Sequence, residues 1–347
     1  MDRPTLTRRI MLTGALAVGA ATPAFAQKAR KPAKRVAGTG EWNVYERFFR
    51  PGPFPVKVAN PLSFVVPDQK KDLLVRVTYP DPSAPSDGRN FPVILFSHGA
   101  LSSKDLYTRV AEHWASHGFV TVQPTHLDSE SLNYKMGTLD STTLVFSRVG
   151  DLKFLLDHLD EIAAQSPALV GRLNKDQIAT AGHSFGGEIA LALAGLGLKQ
   201  KNGTVVNMGD ARIKAVVSYN GIGPMPNTAD DWSTVTLPVF ASTGTNDPSN
   251  TGSGELHSWR WRMGGYDLTA GKERYGVSIA GADHYYGGLI CREGTGKPDP
   301  DGLAVTNAMS TAFLSGYLNN DGAARTLLQH ADLPKLSNER GFLESTV

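Results

Sequence analysis

The sequence predicts an α/β fold, a mostly parallel sheet flanked by helices and contained in one domain. Three observations carry that reading. From about residue 55 onward, short apolar strand signals alternate with amphipathic helix signals. Val93-Ile94-Leu95-Phe96 is a continuous apolar run, as a central strand covered on both faces requires. Gly182-His183-Ser184-Phe185-Gly186-Gly187 stands between a strand-like segment, Asp176 to Ala181, and a helix-like one, Glu188 to Ala194. In that setting Gly-x-Ser-x-Gly is a strand-to-helix elbow whose turn is too tight for large neighbours.

The elements follow in order. Leu73, Val75, Val77 and Tyr79 alternate with more polar residues, the pattern of a half-buried strand near an edge. Leu106, Val110, Trp114 and His117 recur at helical spacing and stop at Gly118. Further strands are expected at 119–122, 178–181, 213–219, 239–242 and 275–280. Val149, Leu152, Leu155, Leu156, Leu159 and Ile162 mark one amphipathic helix, and Val305, Met309, Phe313, Leu314 and Tyr317 mark the last one. Residues 123–146 and 248–272 are longer and less periodic. Both leave the carboxyl edges of strands, where open α/β sheets bind ligands. The domain is expected over 55–325, with 326–347 as a tail.

Bulk properties exclude several classes. With 41% hydrophobic and 20% charged residues, the 347-residue chain has an ordinary globular composition. Its net charge of +2 sits in residues 1–26; the remainder balances, so there is no electrostatic case for a nucleic-acid partner. Cys291 is the lone cysteine, which excludes an intrachain disulfide. Arg8-Arg9 precedes the apolar run Ile10 to Ala21, and Ala24-Phe25-Ala26 fits small-residue cleavage. Residues 1–26 therefore read as a bacterial twin-arginine-type signal, with a periplasmic or extracellular destination and Gln27 as the mature start. Lys28, Arg30, Lys31, Lys34 and Arg35 open a basic flexible leader expected over 27–54. No later segment approaches eighteen apolar residues, so no transmembrane segment is expected. A monomer is favoured.

A serine hydroxyl needs a base to take its proton and a third group to orient that base. Ser184 is the candidate nucleophile. In this fold the order is serine, acid, histidine. Asp247 follows the strand 237–242 in Gly244-Thr245-Asn246-Asp247-Pro248, and His284 follows 275–280 in Gly281-Ala282-Asp283-His284. Asp283 adjoins His284 too closely to face its ring, and Asp230 and Asp231 lie at the wrong end of their strand. The oxyanion donors are expected to be the backbone N–H groups of Phe185 and Ala100, with Leu101 the neighbouring alternative to Ala100. His98 and His183, each in a Gly-bracketed turn, are expected to hold their loops by hydrogen bonds. No metal or cofactor is implied.

Ser97-His98-Gly99-Ala100 with Tyr107, Ala115-Ser116-His117-Gly118-Phe119-Val120 and the 182–187 hexapeptide together resemble the platelet-activating-factor acetylhydrolase and dienelactone-hydrolase-like branch of the α/β-hydrolases. Residues 232–238 and the ending Phe313 to Asp321 are similar to bacterial cutinases and polyester hydrolases. The resemblance spans roughly residues 55–325. It implies an α/β-hydrolase fold of the eight-stranded type and metal-independent hydrolysis of esters. Three features depart from it. No carboxylate follows Tyr219-Asn220, where acetylhydrolases carry the acid, so Asp247 matches the cutinase arrangement. The lone Cys291 excludes the cutinase disulfide, and Ser184 stands where dienelactone hydrolases use cysteine.

The expected function is a secreted serine hydrolase that cleaves small-molecule, lipid or polymer carboxylic esters through an acyl-enzyme. Narrower readings are a phospholipase A2- or acetylhydrolase-like enzyme and a cutinase-like polyesterase. A serine peptidase and a non-catalytic ligand-binding relative are the alternatives of another class. Trp259, Trp261 and Tyr266 with Arg260 and Arg262 either roof an acyl pocket or pin the 248–272 loop. His126, Asp128, Tyr134 and Met136 are candidates for the opposite wall.

Overall fold

The computed structural model describes residues 40–67, 71–83, 88–200, 202–225, 231–250 and 256–347. The signal at 1–26 and the basic residues 28–35 lie outside them. Nine strands form the main sheet: β1 (Val56–Val66), β2 (Lys71–Pro80), β3 (Phe91–Ser97), β4 (Val120–Pro124), β5 (Leu173–His183), β6 (Ile213–Tyr219), β7 (Val239–Gly244), β8 (Arg274–Ile279) and β9 (Gly341–Thr346). Their order across the sheet is β1-β2-β4-β3-β5-β6-β7-β8-β9. Pairing is parallel from β4 through β8 and antiparallel at the ends, where β1 meets β2, β2 meets β4 and β8 meets β9.

The predicted α/β class is what the chain adopts. All seven residues of β3 are buried, as its unbroken apolar run requires, and β2 buries Leu73, Val75, Val77 and Tyr79 one place in from the edge. Helices α1 (Gly40–Phe49) and α2 (Thr108–Ser116), α3 (Ser141–Asp157), α4 (Leu159–Gln165) and α5 (Phe185–Leu193) precede a short α6 (Gly264–Asp267). They are followed by α7 (Pro300–Leu318), α8 (Gly322–His330) and α9 (Leu333–Leu336). Two apolar layers cover the sheet. One holds Val149, Leu152 and Leu155 from α3 with Ile189 to Leu193 from α5. The other packs Tyr45, Trp114 and Phe313 from α1, α2 and α7. Each large side chain buried there contributes roughly 1.5–3 kcal/mol.

Three boundaries differ from the expectation. The leader read over 27–54 ends sooner, because Gly40–Phe49 is a helix that buries Tyr45 and Phe48 against α7. Arg47 also reaches Asp321, which caps α8, at 2.6 Å. The tail read from 326 onward is structured. α8 buries Ala324, Leu327 and Leu328, and β9 adds a ninth strand to the edge. The sequence Gly341-Phe342-Leu343-Glu344-Ser345-Thr346 has too little apolar content to announce a strand; pairing with β8 makes it one. The helix read as one piece over 149–162 breaks at His158, whose Nδ1 lies 2.6 Å from the Phe154 carbonyl. No helix among the described residues is long and apolar enough to cross a membrane.

Candidate active site

Ser184 occupies the turn between β5 and α5 with φ 54° and ψ −123°, a left-handed conformation that L-residues rarely adopt. Its flanking residues must be small. A Cβ on Gly182 would lie 2.0 Å from the Gly186 carbonyl oxygen, and a Cβ on Gly186 would lie 2.0 Å from the Ser97 oxygen. Glycines at 182 and 186 are therefore what allow β5, α5 and the loop after β3 to meet. The turn is held by Ser184 N–H donating to the Tyr219 carbonyl at 2.9 Å. Phe185 is the first residue of α5, and such an N–H has no acceptor within its own helix.

Asp247 and His284 come together across β7 and β8. His284 Nδ1 lies 2.9 Å from Asp247 Oδ2, and His284 is 15% exposed at its side chain while Asp247 is buried. Because Nδ1 donates to the carboxylate, the ring lone pair is on Nε2. The same Asp247 oxygen accepts from Asn220 Nδ2 at 2.8 Å and from Thr243 Oγ1 at 3.2 Å. Arg262 Nε approaches Asp247 Oδ1 at 2.6 Å. His183, next to Ser184 in sequence, packs its ring 4.7 Å from that of His284 and donates Nε2–H to the His284 carbonyl at 2.9 Å. This brings the elbow up to the histidine loop. Its other ring nitrogen accepts from the Tyr107 hydroxyl at 3.0 Å, which in turn accepts from Gly99 N–H at 2.8 Å.

The remaining predicted donor, Ala100, lies in the loop after β3. Tyr107 takes the N–H of Gly99, and the N–H of Leu101 points at Asp128 Oδ2 at 3.5 Å. Asp128 and His126 do not form a pocket wall, contrary to expectation. Both are buried behind this loop, Asp128 on Arg148 and His126 between Ser97 and Asp151. Tyr134 is half-buried, and Met136 is 74% exposed. Both arginines of 248–272 are engaged by carboxylates. Arg260 is held by Asp267 and Glu344, and Arg262 by Asp247 and the Gly221 carbonyl.

Burial and charge set the protonation states. Burial opposes ionisation of Asp247, but the bond from His284, the charge of Arg262 and the Asn220 amide outweigh it and hold the carboxyl below its ordinary value. Burial also lowers His284 below the ordinary histidine value of 6.5; Arg262 adds to this, while Asp247 and Asp283 pull the other way. His98, His126 and His183 are driven well below 6.5, chiefly by burial. Burial raises the Cys291 thiol above its ordinary value, as for a packed thiol.

Arg148 was not named from the sequence, and the supporting roles of Asn220, Arg262 and Tyr107 were not read from it. Arg148 carried a signal, since a charged residue stands in the apolar stripe Val145-Val149-Leu152 of α3. Asn220 stood at the position where the resemblance expected an acid. It supports the acid from there instead. Arg262 had none, because its contact with Asp247 depends on how a non-periodic loop folds back.

The Chlorophyllase family model matches residues 47–218. The fold is that of an α/β-hydrolase. Among curated proteins, "Chlorophyllase-1, chloroplastic" of Citrus unshiu is 31% identical over 110 residues, 32% of this chain. The chain spans about 30% of the length of that relative. The stretch matched by the family model contains the Ser97–Leu101 loop and the Ser184 elbow but ends before Asp247 and His284. Among the described residues no group of three or more histidine, cysteine, aspartate or glutamate side chains is arranged to hold a metal ion.

Proposed function

We propose that this protein is an exported serine hydrolase that cleaves carboxylic esters through an acyl-enzyme on Ser184. The hydrogen bond from His284 Nδ1 to Asp247 Oδ2, linked through the His183–His284 contact to a serine held at positive φ on a strand-to-helix turn, carries the reading. The similarity to chlorophyllases, a carboxylesterase-type family, supports an ester as the substrate. His284 Nε2 takes the proton of the Ser184 hydroxyl as Oγ attacks the ester carbonyl. Asp247 holds the ring in the correct tautomer and stabilises the imidazolium. The oxyanion is met by the N–H groups of Phe185 and Ala100. His284 then protonates the departing alcohol, and water, deprotonated by the same ring, releases the acid. The export reading rests on Arg8-Arg9, the apolar run and Ala24-Phe25-Ala26, and places Gln27 first in the released protein.

The pH profile follows with a definite sign. His284 acts only when neutral, and its environment disfavours the charged form. Around it stand Asp247, Asp283, Arg262, His183 and Tyr285; burial and Arg262 outweigh the two carboxylates. The acid limb of kcat/KM is therefore expected below pH 6.5, with activity lost as pH falls through it. A midpoint above 6.5 would contradict this electrostatic account.

A substrate panel tests the class. It comprises p-nitrophenyl esters of increasing acyl length, the matching p-nitroanilides, an oxidised phospholipid, a polyester film and chlorophyll. Short-chain esters are expected to turn over and anilides to fail. Comparable anilide cleavage would make the protein a peptidase. No turnover on any ester would leave a ligand-binding relative.

A further inference from the structure

One buried guanidinium touches both backbone segments that supply the oxyanion donors. Arg148, on α3, is 1% exposed. Its five N–H groups meet five acceptors. Nε donates to Asp128 Oδ1 at 2.8 Å and Nη2 to Asp128 Oδ2 at 2.6 Å, a bidentate pair. Nη1 donates to the His98 carbonyl at 2.5 Å and to Ser97 Oγ at 3.3 Å, and Nη2 to the Gly99 carbonyl at 3.3 Å. The guanidinium carbon also lies 4.6 Å from the centre of the Phe185 ring.

The Gly99 carbonyl is the other half of the peptide unit that carries the Ala100 N–H. In a planar trans peptide the C=O and N–H point in opposite directions. Three donors converge on that oxygen: His98 Nδ1–H at 2.7 Å, Ser102 N–H at 3.2 Å and Arg148 Nη2. His98 is free to donate from Nδ1 because its Nε2 accepts from His126 N–H at 2.9 Å. Pinning the oxygen on one side aims the Ala100 N–H to the other. Drawing electron density onto the carbonyl also strengthens that N–H as a donor. The ring contact holds the second donor residue, Phe185, against the same cation. Behind the clamp, Ser97 donates to His126 Nε2 at 2.9 Å. His126 Nδ1 donates to Asp151 at 2.8 Å, and Lys71 pairs with Asp151 at 2.7 Å.

We propose that Arg148, anchored by Asp128, is a positioning residue that fixes the Gly99–Ala100 peptide and the Phe185 segment as one oxyanion hole. This rests on the ester-hydrolase reading above. It extends that reading by assigning the aim of the hole to a side chain that never meets substrate. A residue with this role acts on the transition state and leaves ground-state binding alone.

The test uses the whole protein with Arg148→Met, Arg148→Lys and Asp128→Asn, each checked for folding by circular dichroism and thermal melting. For each, kcat and KM on p-nitrophenyl acetate are measured with the inhibition constant of a trifluoromethyl ketone. Addition of Ser184 turns that ketone oxygen into an alkoxide in the hole. Deleting a donor outright costs about 10²–10³-fold in kcat, so loosening one is expected to cost about 10- to 100-fold. KM should stay within about threefold, and ketone affinity should fall by the same factor as kcat. Lysine keeps the charge but loses the fork and the ring contact, so Arg148→Lys should fall between wild type and Arg148→Met. A folded Arg148→Met with kcat within about twofold of wild type would overturn the proposal. If that variant fails to fold, the same result in Arg148→Lys would do so. So would a loss confined to KM, or a kcat loss that ketone affinity does not follow. A wild type inert toward every ester would instead remove the underlying function, and this inference with it.

Discussion

Ser184→Ala is expected to lower kcat on p-nitrophenyl acetate by on the order of 10⁶-fold, because nucleophile and base act as a unit. The fold should persist. Alanine has the same Cβ, so it neither adds nor relieves strain at φ 54°, and the turn is held by backbone bonds that it keeps. Thermal midpoints of mutant and wild type should therefore agree within a degree or two. Near-normal hydrolysis by the alanine variant would remove Ser184 from the chemistry.

Asp247→Asn is the second large effect, about 10⁴-fold in kcat, as expected when an orienting carboxylate is neutralised. Oδ2 accepts from His284, Asn220 and Thr243 while Oδ1 faces Arg262. An asparagine offers one acceptor oxygen and one NH2. Whichever way it turns, the NH2 confronts either the His284 Nδ1–H or the Arg262 guanidinium. In the first case the ring is pushed to the wrong tautomer; in the second a half-buried cation loses its partner. Breaking such a pair costs roughly 3–5 kcal/mol when fully buried, and less here because Arg262 keeps some solvent. Asp231→Asn is the control. That carboxylate caps Ser233 by accepting from its N–H at 3.1 Å and its Oγ at 2.6 Å, so kcat should be unchanged. Steady-state kinetics on both variants distinguish the assignments. A large loss at Asp231 with none at Asp247 would relocate the acid.

Local signals made the central architecture readable. β3 declares itself by an unbroken apolar run, and the elbow by glycines at 182 and 186, where an added Cβ would lie 2.0 Å from a backbone oxygen. Asp247 and His284 are legible from their place after strands, and His284 Nδ1 lies 2.9 Å from Asp247 Oδ2. Elements whose existence depends on a distant partner were not readable. β9 is a strand because β8 pairs with it. α1 was hidden by the basic stretch before it, although Trp42, Tyr45, Phe48 and Phe49 follow helical spacing. The support around the site was the least legible part. Arg148 and Asp128 are twenty residues apart, and Arg262 reaches back fifteen residues to Asp247. Such contacts are set by how loops cross the carboxyl edge of the sheet, which no periodicity records. His126 is the converse case: a histidine in a long loop at that edge reads as a wall residue but is a buried strut on Asp151.

The central claim is that Ser184 is an activated nucleophile, and covalent labelling tests it without a choice of substrate. A fluorophosphonate should react with the wild-type protein and, after digestion and mass spectrometry, leave its adduct on the peptide containing Gly182-His183-Ser184-Phe185. Ser184→Ala should take no label, and Asp247→Asn should label far more slowly. Modification at another residue, or equal labelling of the alanine variant, would contradict the account.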